Sequence, residues 1–183
     1  MTTILGLSGS LRRGSYNTAL LRAARELAPD GVELEIGSIA GIPLYDGDLE
    51  SEQGLPAAVT ELKEKIVAAD GLLLVTPEYN NSLPGVFKNA IDWLSRPPKD
   101  IPRVFGNKPV ALIGATPGAG GTRFSQTAWL PVLRTLGVHA WFGKQLYVAH
   151  AGQVFDAEGK LVDEKVRKHL GDLVAGFAAF VRS

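Results

Sequence analysis

Residues Gly71–Leu94, GLLLVTPEYNNSLPGVFKNAIDWL, decide the fold. The stretch opens with GLLLVT, apolar throughout instead of alternating. That is the composition of a central parallel strand covered on both faces. It closes with Leu83, Val86, Phe87, Ala90, Ile91 and Leu94, which hold the i, i+3, i+4, i+7 spacing of an amphipathic helix. Between them lies a polar loop, TPEYNNSLPG (76–85). Ser82 is the expected N-cap of the helix and Pro84 is expected in its first turn, where a missing N–H costs little.

Outward from this unit the same alternation repeats. Thr2–Leu7 (TTILGL) and Pro109–Ala115 (PVALIGA) are further apolar runs, while Val32–Ile36 (VELEI) alternates as an edge strand does. A fifth strand lies within 138–148, either around VHAWFG or around QLYV; the pattern does not choose between them. Helical stripes occur at Leu20, Leu21, Ala24, Leu27 and Ala28, at Val59, Leu62, Ile66 and Ala69, and at Val166, Leu170, Leu173, Val174, Phe177 and Val181. A further stripe runs through Ser125–Leu136 but contains Pro131, which is expected to kink or split it. DAEGK (156–160) reads as a turn. Strict β-α alternation implies a parallel sheet with helices on both faces, joined by right-handed crossovers.

Composition narrows the function classes. The chain has 183 residues with 19 basic and 19 acidic side chains, so no net charge calls for nucleic acid or an anionic membrane. It has no Cys, which excludes disulfides, thiolate metal sites and a cysteine nucleophile. No apolar run reaches the ~18–20 residues of a membrane span, and a soluble, cytoplasmic protein is expected. His139, His150 and His169 stand apart from any ligand spacing, so no metal is expected.

Open parallel sheets bind ligands outside the carboxyl ends of their strands. The first loop there, SGSLRRGSYN (8–17), offers hydroxyls from Ser8, Ser10 and Ser15, the Asn17 amide and the charges of Arg12 and Arg13. With the N–H groups of a helix start these make a site for one phosphate; the plainer alternative is a capped turn. The loop has neither the GK[ST] ending of a P-loop nor the dinucleotide G-x-G-x-x-G. The second loop places Glu78, Tyr79, Asn80 and Asn81 at a strand mouth, where a polar heteroaromatic ring would find amides and an aromatic side chain. The alternative is a tight turn rich in Asn for backbone reasons. The third, TPGAGGTR (116–123), carries Gly118, Gly120 and Gly121, which let backbone approach a ligand closely or merely connect.

GSLRRGSYN (9–17) and PEYNNSLPGVFKNAIDWLSRP (77–97) together resemble the NADPH-dependent FMN reductase family, which includes quinone, azo-dye and chromate reductases. The resemblance implies a flavodoxin-like three-layer sandwich. Its five-stranded parallel sheet would run in the order 2-1-3-4-5, and residues 1–183 would form one FMN-binding domain. It implies that Ser10, Arg12, Ser15, Asn17 and the backbone around Tyr16 hold the FMN phosphate. Pro77, Glu78, Tyr79, Asn80 and Asn81 would flank the isoalloxazine ring, with Thr116 and Gly118 along its other edge. Some relatives carry an aromatic residue where this chain has Asn81. NADPH or NADH would be the co-substrate, with hydride passing from nicotinamide C4 to flavin N5 and on to a quinone-like or other small acceptor. No side chain is implied as catalytic acid or base. Arg123 and Arg103 are the cations considered for a 2′-phosphate. A homodimer or homotetramer is implied. The competing readings are a flavodoxin-type electron carrier and an FMN-loaded regulatory module. A carrier needs a docking surface of one charge sign, which the 19:19 balance does not suggest.

Overall fold

The computed structural model describes all 183 residues. The strands are β1 (Thr2–Ser8), β2 (Val32–Gly37), β3 (Gly71–Val75), β4 (Pro109–Ala115), β5 (His139–Ala140) and β6 (Tyr147–Val148). The helices are α1 (Tyr16–Glu26), α2 (Gly47–Gln53), α3 (Ala57–Ala68), α4 (Gly85–Leu94), α5 (Ile101–Val104), α6 (Arg123–Leu136), α7 (Ala151–Val154) and α8 (Glu164–Val181). All pairings are parallel and the order is β2-β1-β3-β4-β5, with β6 also on β4. This is the expected flavodoxin-like α/β arrangement.

Side-chain alternation on the central strands builds two cores. Ile4, Leu73, Val75, Ala111 and Ile113 face α1 and α8 in one cluster of 23 buried residues. Leu5, Leu7, Leu72, Leu74 and Val110 face α3, α4 and α6 in another cluster of 20. β3 is buried along its whole length, as its unbroken apolar composition requires. β2 takes the edge and leaves Glu33 and Glu35 exposed.

Four local readings change. The fifth strand is both candidates: β5 pairs Pro109–Val110 and β6 pairs Gly114–Ala115, with the chain looping out between them. α4 begins at Gly85 with Pro84 at its N-cap position and no side-chain cap. Ser82 instead closes a tight turn, its N–H and C=O both paired to Tyr79. α6 runs unbroken through Pro131. Pro131 and Thr127, whose carbonyl loses its donor, are both exposed, so water can take the place of the missing N–H. The fourth change is α2, α5 and α7, which are short and carry no apolar stripe long enough to be read. The segment from Pro43 to α2 is fixed on α4: Asn89 and Trp93 donate to the Pro43 carbonyl at 2.8 and 2.9 Å, and Arg96 meets Glu50 at 2.7 Å. The Arg96 guanidinium holds the Glu50 carboxyl below its usual range.

Candidate functional site

α1 starts because Ser15 takes the N-cap position and its side chain accepts the Thr18 N–H. That leaves the first-turn N–H groups of Tyr16 and Asn17 without a protein partner. Before them, Ser10 Oγ accepts the Arg12 N–H at 3.3 Å. Arg12 is exposed, makes no ion pair, and lies 5.4 Å over the Tyr16 ring. Cationic and N–H donors therefore converge at one end of α1, where the helix dipole adds positive potential.

Asn17 does something different. Its amide is buried and clasps the end of β4, donating to the Ala115 carbonyl at 2.8 Å and accepting the Ala115 N–H at 2.9 Å. The Asn17 side chain thus ties the first loop to the third, and its backbone N–H is what remains for a ligand.

The second loop is locked from beneath. Thr76, fully buried, places its hydroxyl 2.8 Å from Ser125 Oγ and accepts Trp129 Nε1–H at 3.0 Å. Glu78 accepts the Ser125 N–H at 3.0 Å, capping α6 across 47 residues of sequence. Thr122, at the N-cap position of α6, makes no side-chain cap of its own. Asn80 and Asn81 have φ of 51° and 59°, with Tyr79 and Ser82 paired on either side. Two successive residues at positive φ make a type I′ turn, for which Asn is one of the few suitable residues. β3 and β4 approach closely behind this loop: a Cβ on Gly114 would stand 2.2 Å from the Thr76 carbonyl oxygen.

The third loop is pinned by backbone bonds. Thr116 donates to Val148 at 2.9 Å, and its carbonyl accepts from Ala151 at 3.0 Å. Pro117–Gly120 are exposed, whereas Gly121, at φ 66°, folds back against Tyr147.

The three loops enclose a cleft of about 420 Å³, within the ~300–1,000 Å³ usual for small-ligand sites. Ser10, Arg12, Ser15, Tyr16, Asn17, Pro77, Glu78, Tyr79 and Thr116 line it, joined by Ala115 and Pro117. Asn80, Asn81 and Gly118 do not line it. The Thr76–Ser125–Trp129 lock escaped sequence reading; a polar residue ending an apolar strand was its only trace. Arg103 is held by Glu64 at 3.0 Å and Asp100 at 3.7 Å on the α3–α5 side, away from the cleft. The donor set fits a phosphomonoester tail at α1, and the Pro77–Tyr79 and Thr116–Pro117 walls fit a flat ring beyond it.

Fold and cleft define a flavodoxin-like mononucleotide-binding protein. A family model described as NADPH-dependent FMN reductase matches residues 2–153, and the chain belongs to that family. It is 44% identical over 179 residues to the NAD(P)H-dependent FMN reductase of Pseudomonas aeruginosa, covering 98% of this chain and 95% of that one. It is 42% identical over 174 residues to 2-hydroxy-1,4-benzoquinone reductase of Burkholderia sp, covering 95% and 93%. In structure it matches the flavoenzyme NAD(P)H:(acceptor) oxidoreductase FerB of Paracoccus denitrificans with a TM-score of 0.88, 33% identity and coverage of 100% and 98%. The chain is an NAD(P)H-dependent oxidoreductase that uses FMN.

Proposed function

We propose that the cleft binds FMN with its phosphate at the start of α1 and its ring between the second and third loops, and that quinone-like molecules are the acceptors. The observation that carries this reading is the set of uncommitted donors at one end of the cleft. These are the Tyr16 and Asn17 N–H groups, the Arg12 guanidinium and the Ser10 hydroxyl; Glu78, the one carboxylate lining the cleft, is held by the Ser125 N–H. Charge-assisted contacts of this kind contribute ~1.5–3 kcal/mol each. FMN, when bound, supplies the hydride and electron chemistry between NAD(P)H and the acceptor. The protein binds, orients and shields. Pro77 and Tyr79 set the position of the ring from one side and Thr116 from the other. Glu78 is committed to the N-terminus of α6, so it serves as a cap and not as an acid or base. Solvent supplies protons through the exposed Pro117–Gly120 mouth. The quinone assignment follows the Burkholderia relative's activity.

The reading extends to assembly and location. A half-buried apolar groove of about 320 Å³ between α4 and α6, lined by Ile91, Val132 and Leu136, supports a homodimer or homotetramer. The cysteine-free composition fits the reducing cytoplasm. Residues 1–183 are taken as one domain, which a single cooperative melting transition tests. The deciding experiment is the visible spectrum of the purified protein before and after FMN addition, followed by anaerobic NADPH. Flavin bands that bleach, with quinone-dependent NAD(P)H oxidation at steady state, are expected. A preparation that gains neither colour nor melting temperature on FMN addition would overturn the assignment.

A further inference from the structure

The split fifth strand leaves a gap. β4 is paired by β5 at Pro109–Val110 and by β6 at Gly114–Ala115, so Ala111–Ile113 have no strand neighbour on that side. A second pocket of about 160 Å³ opens there, lined among others by Leu112, Gln126, Trp141, Phe142, Lys144 and Tyr147. It adjoins the flavin cleft. Tyr147 precedes Val148, whose carbonyl accepts the Thr116 N–H, and Thr116 lines that cleft. Neighbouring strands lie ~4.8 Å apart.

The lining has the chemistry of a purine site. Trp141, Phe142 and Tyr147 line it with aromatic rings, and Phe142 is 58% exposed, so its ring is open to a stacking partner. Gln126 donates through Nε2 to Thr122 Oγ1 and the Leu146 carbonyl, which leaves its amide oxygen as a free acceptor. The unpaired stretch of β4 offers backbone groups beside it. One cation, Lys144, lines the pocket, no carboxylate does, and a second cation, Arg123, stands behind the lining residue Tyr147. Lys144 shares Asp172 with Lys168. Arg123 has no acidic partner and lies 5.5 Å over the Tyr147 ring, at the end of the third loop.

We propose that this pocket receives the adenosine end of NAD(P)H, with the purine stacked on Phe142 and the diphosphate passing Arg123 on its way to the flavin cleft. This rests on reading that cleft as the FMN site. Because Arg123 meets the diphosphate, NADPH and NADH depend on it alike.

The test uses FMN-loaded protein and two reductants, NADPH and reduced nicotinamide mononucleotide, which lacks the adenosine half. In Phe142→Ala and in Arg123→Ala the ratio of their kcat/KM values, NADPH over mononucleotide, is expected to fall about 10-fold, within the range a lost base–aromatic stack or phosphate contact produces. ADP-ribose binding, followed by calorimetry, should weaken in parallel. Arg103→Ala, ion-paired elsewhere, should keep the parent ratio. An unchanged ratio overturns the proposal, as does an equal loss with both reductants. So does a Phe142→Ala protein that changes oligomeric state by light scattering while keeping its ratio, because the face would then be an interface between copies. If the parent is reduced by neither compound, the flavin reading itself falls, and this proposal with it.

Discussion

The first and second loops of the cleft are built on opposite principles. Ser8–Asn17 ties down the Asn17 amide but leaves a set of donors unpaired at the cleft: two first-turn N–H groups, the Ser10 hydroxyl and the Arg12 guanidinium have no protein acceptor. Thr76–Gly85 does the reverse. Its Thr76 hydroxyl and Glu78 carboxylate are engaged through Ser125 and Trp129, and the backbone of its two asparagines is set by the Tyr79–Ser82 turn. The difference separates two tasks. A loop that must grip an anion keeps its polar groups free. A loop that must present a shaped wall fixes them, because an unsatisfied polar group under that wall would cost ~1–3 kcal/mol and loosen it.

The largest effect belongs to the fixed loop. Trp129 is fully buried, packs edge-on against Phe87 with ring centroids 5.1 Å apart, and donates to Thr76. Trp129→Ala removes that volume and strands the Thr76–Ser125 pair. A loss of ~3–5 kcal/mol is expected, a fall in Tm on the order of 10 °C. Thermal melts of the FMN-free protein check this. A normal Tm with lost flavin binding would mean that the network serves the ligand directly and the contrast between the loops is false.

Next comes the open loop. Arg12→Ala removes a charged contact and should weaken FMN binding by ~10- to 150-fold, or ~1.5–3 kcal/mol, with little change in the Tm of the FMN-free protein. Fluorescence titration of FMN reads the affinity. Parent-like affinity would place the phosphate elsewhere. Arg167, which belongs to α8, serves as the control and should show no change.

Much of this contrast was legible beforehand because it is local. The apolar run of β3, the stripe of α4 and the serine-rich start of α1 each declare themselves within a dozen residues. What stayed hidden depends on distant partners. Asn17 looks like a ligand contact in sequence but is committed to Ala115, 98 positions away. Glu78 looks like a free carboxylate, yet it caps a helix that begins 45 residues later. The fifth strand offered two candidates because β4 uses both, each pairing only two of its residues. Of the two outcomes expected at Pro131, a kink or a split, the split does not occur: α6 continues through it on a side of the helix that faces water.

Glu78→Gln asks whether its charge or only its shape matters. Glutamine keeps an acceptor for the Ser125 N–H but loses the anion at a helix N-terminus, a contribution of ~0.3–1 kcal/mol. A small drop in Tm with turnover within about twofold of the parent is expected. A collapse in turnover at unchanged FMN affinity would make Glu78 part of the chemistry and not of the wall.

The smallest effect is expected at the tip of the fixed loop. Asn81 is exposed, does not line the cleft, and sits at a φ of 59° that most side chains resist. If it is present for its backbone, Asn81→Gly is nearly neutral, since glycine adopts this conformation freely. Asn81→Val, by contrast, should cost ~1–2 kcal/mol through strain alone. FMN affinity and melting temperature should then fall together in the valine variant and stay together near parent values in the glycine variant. The opposite split is equally readable. A glycine variant that melts normally but loses tenfold in FMN affinity would show the Asn81 side chain reaching the ring, and the second loop would join the first as a loop that grips.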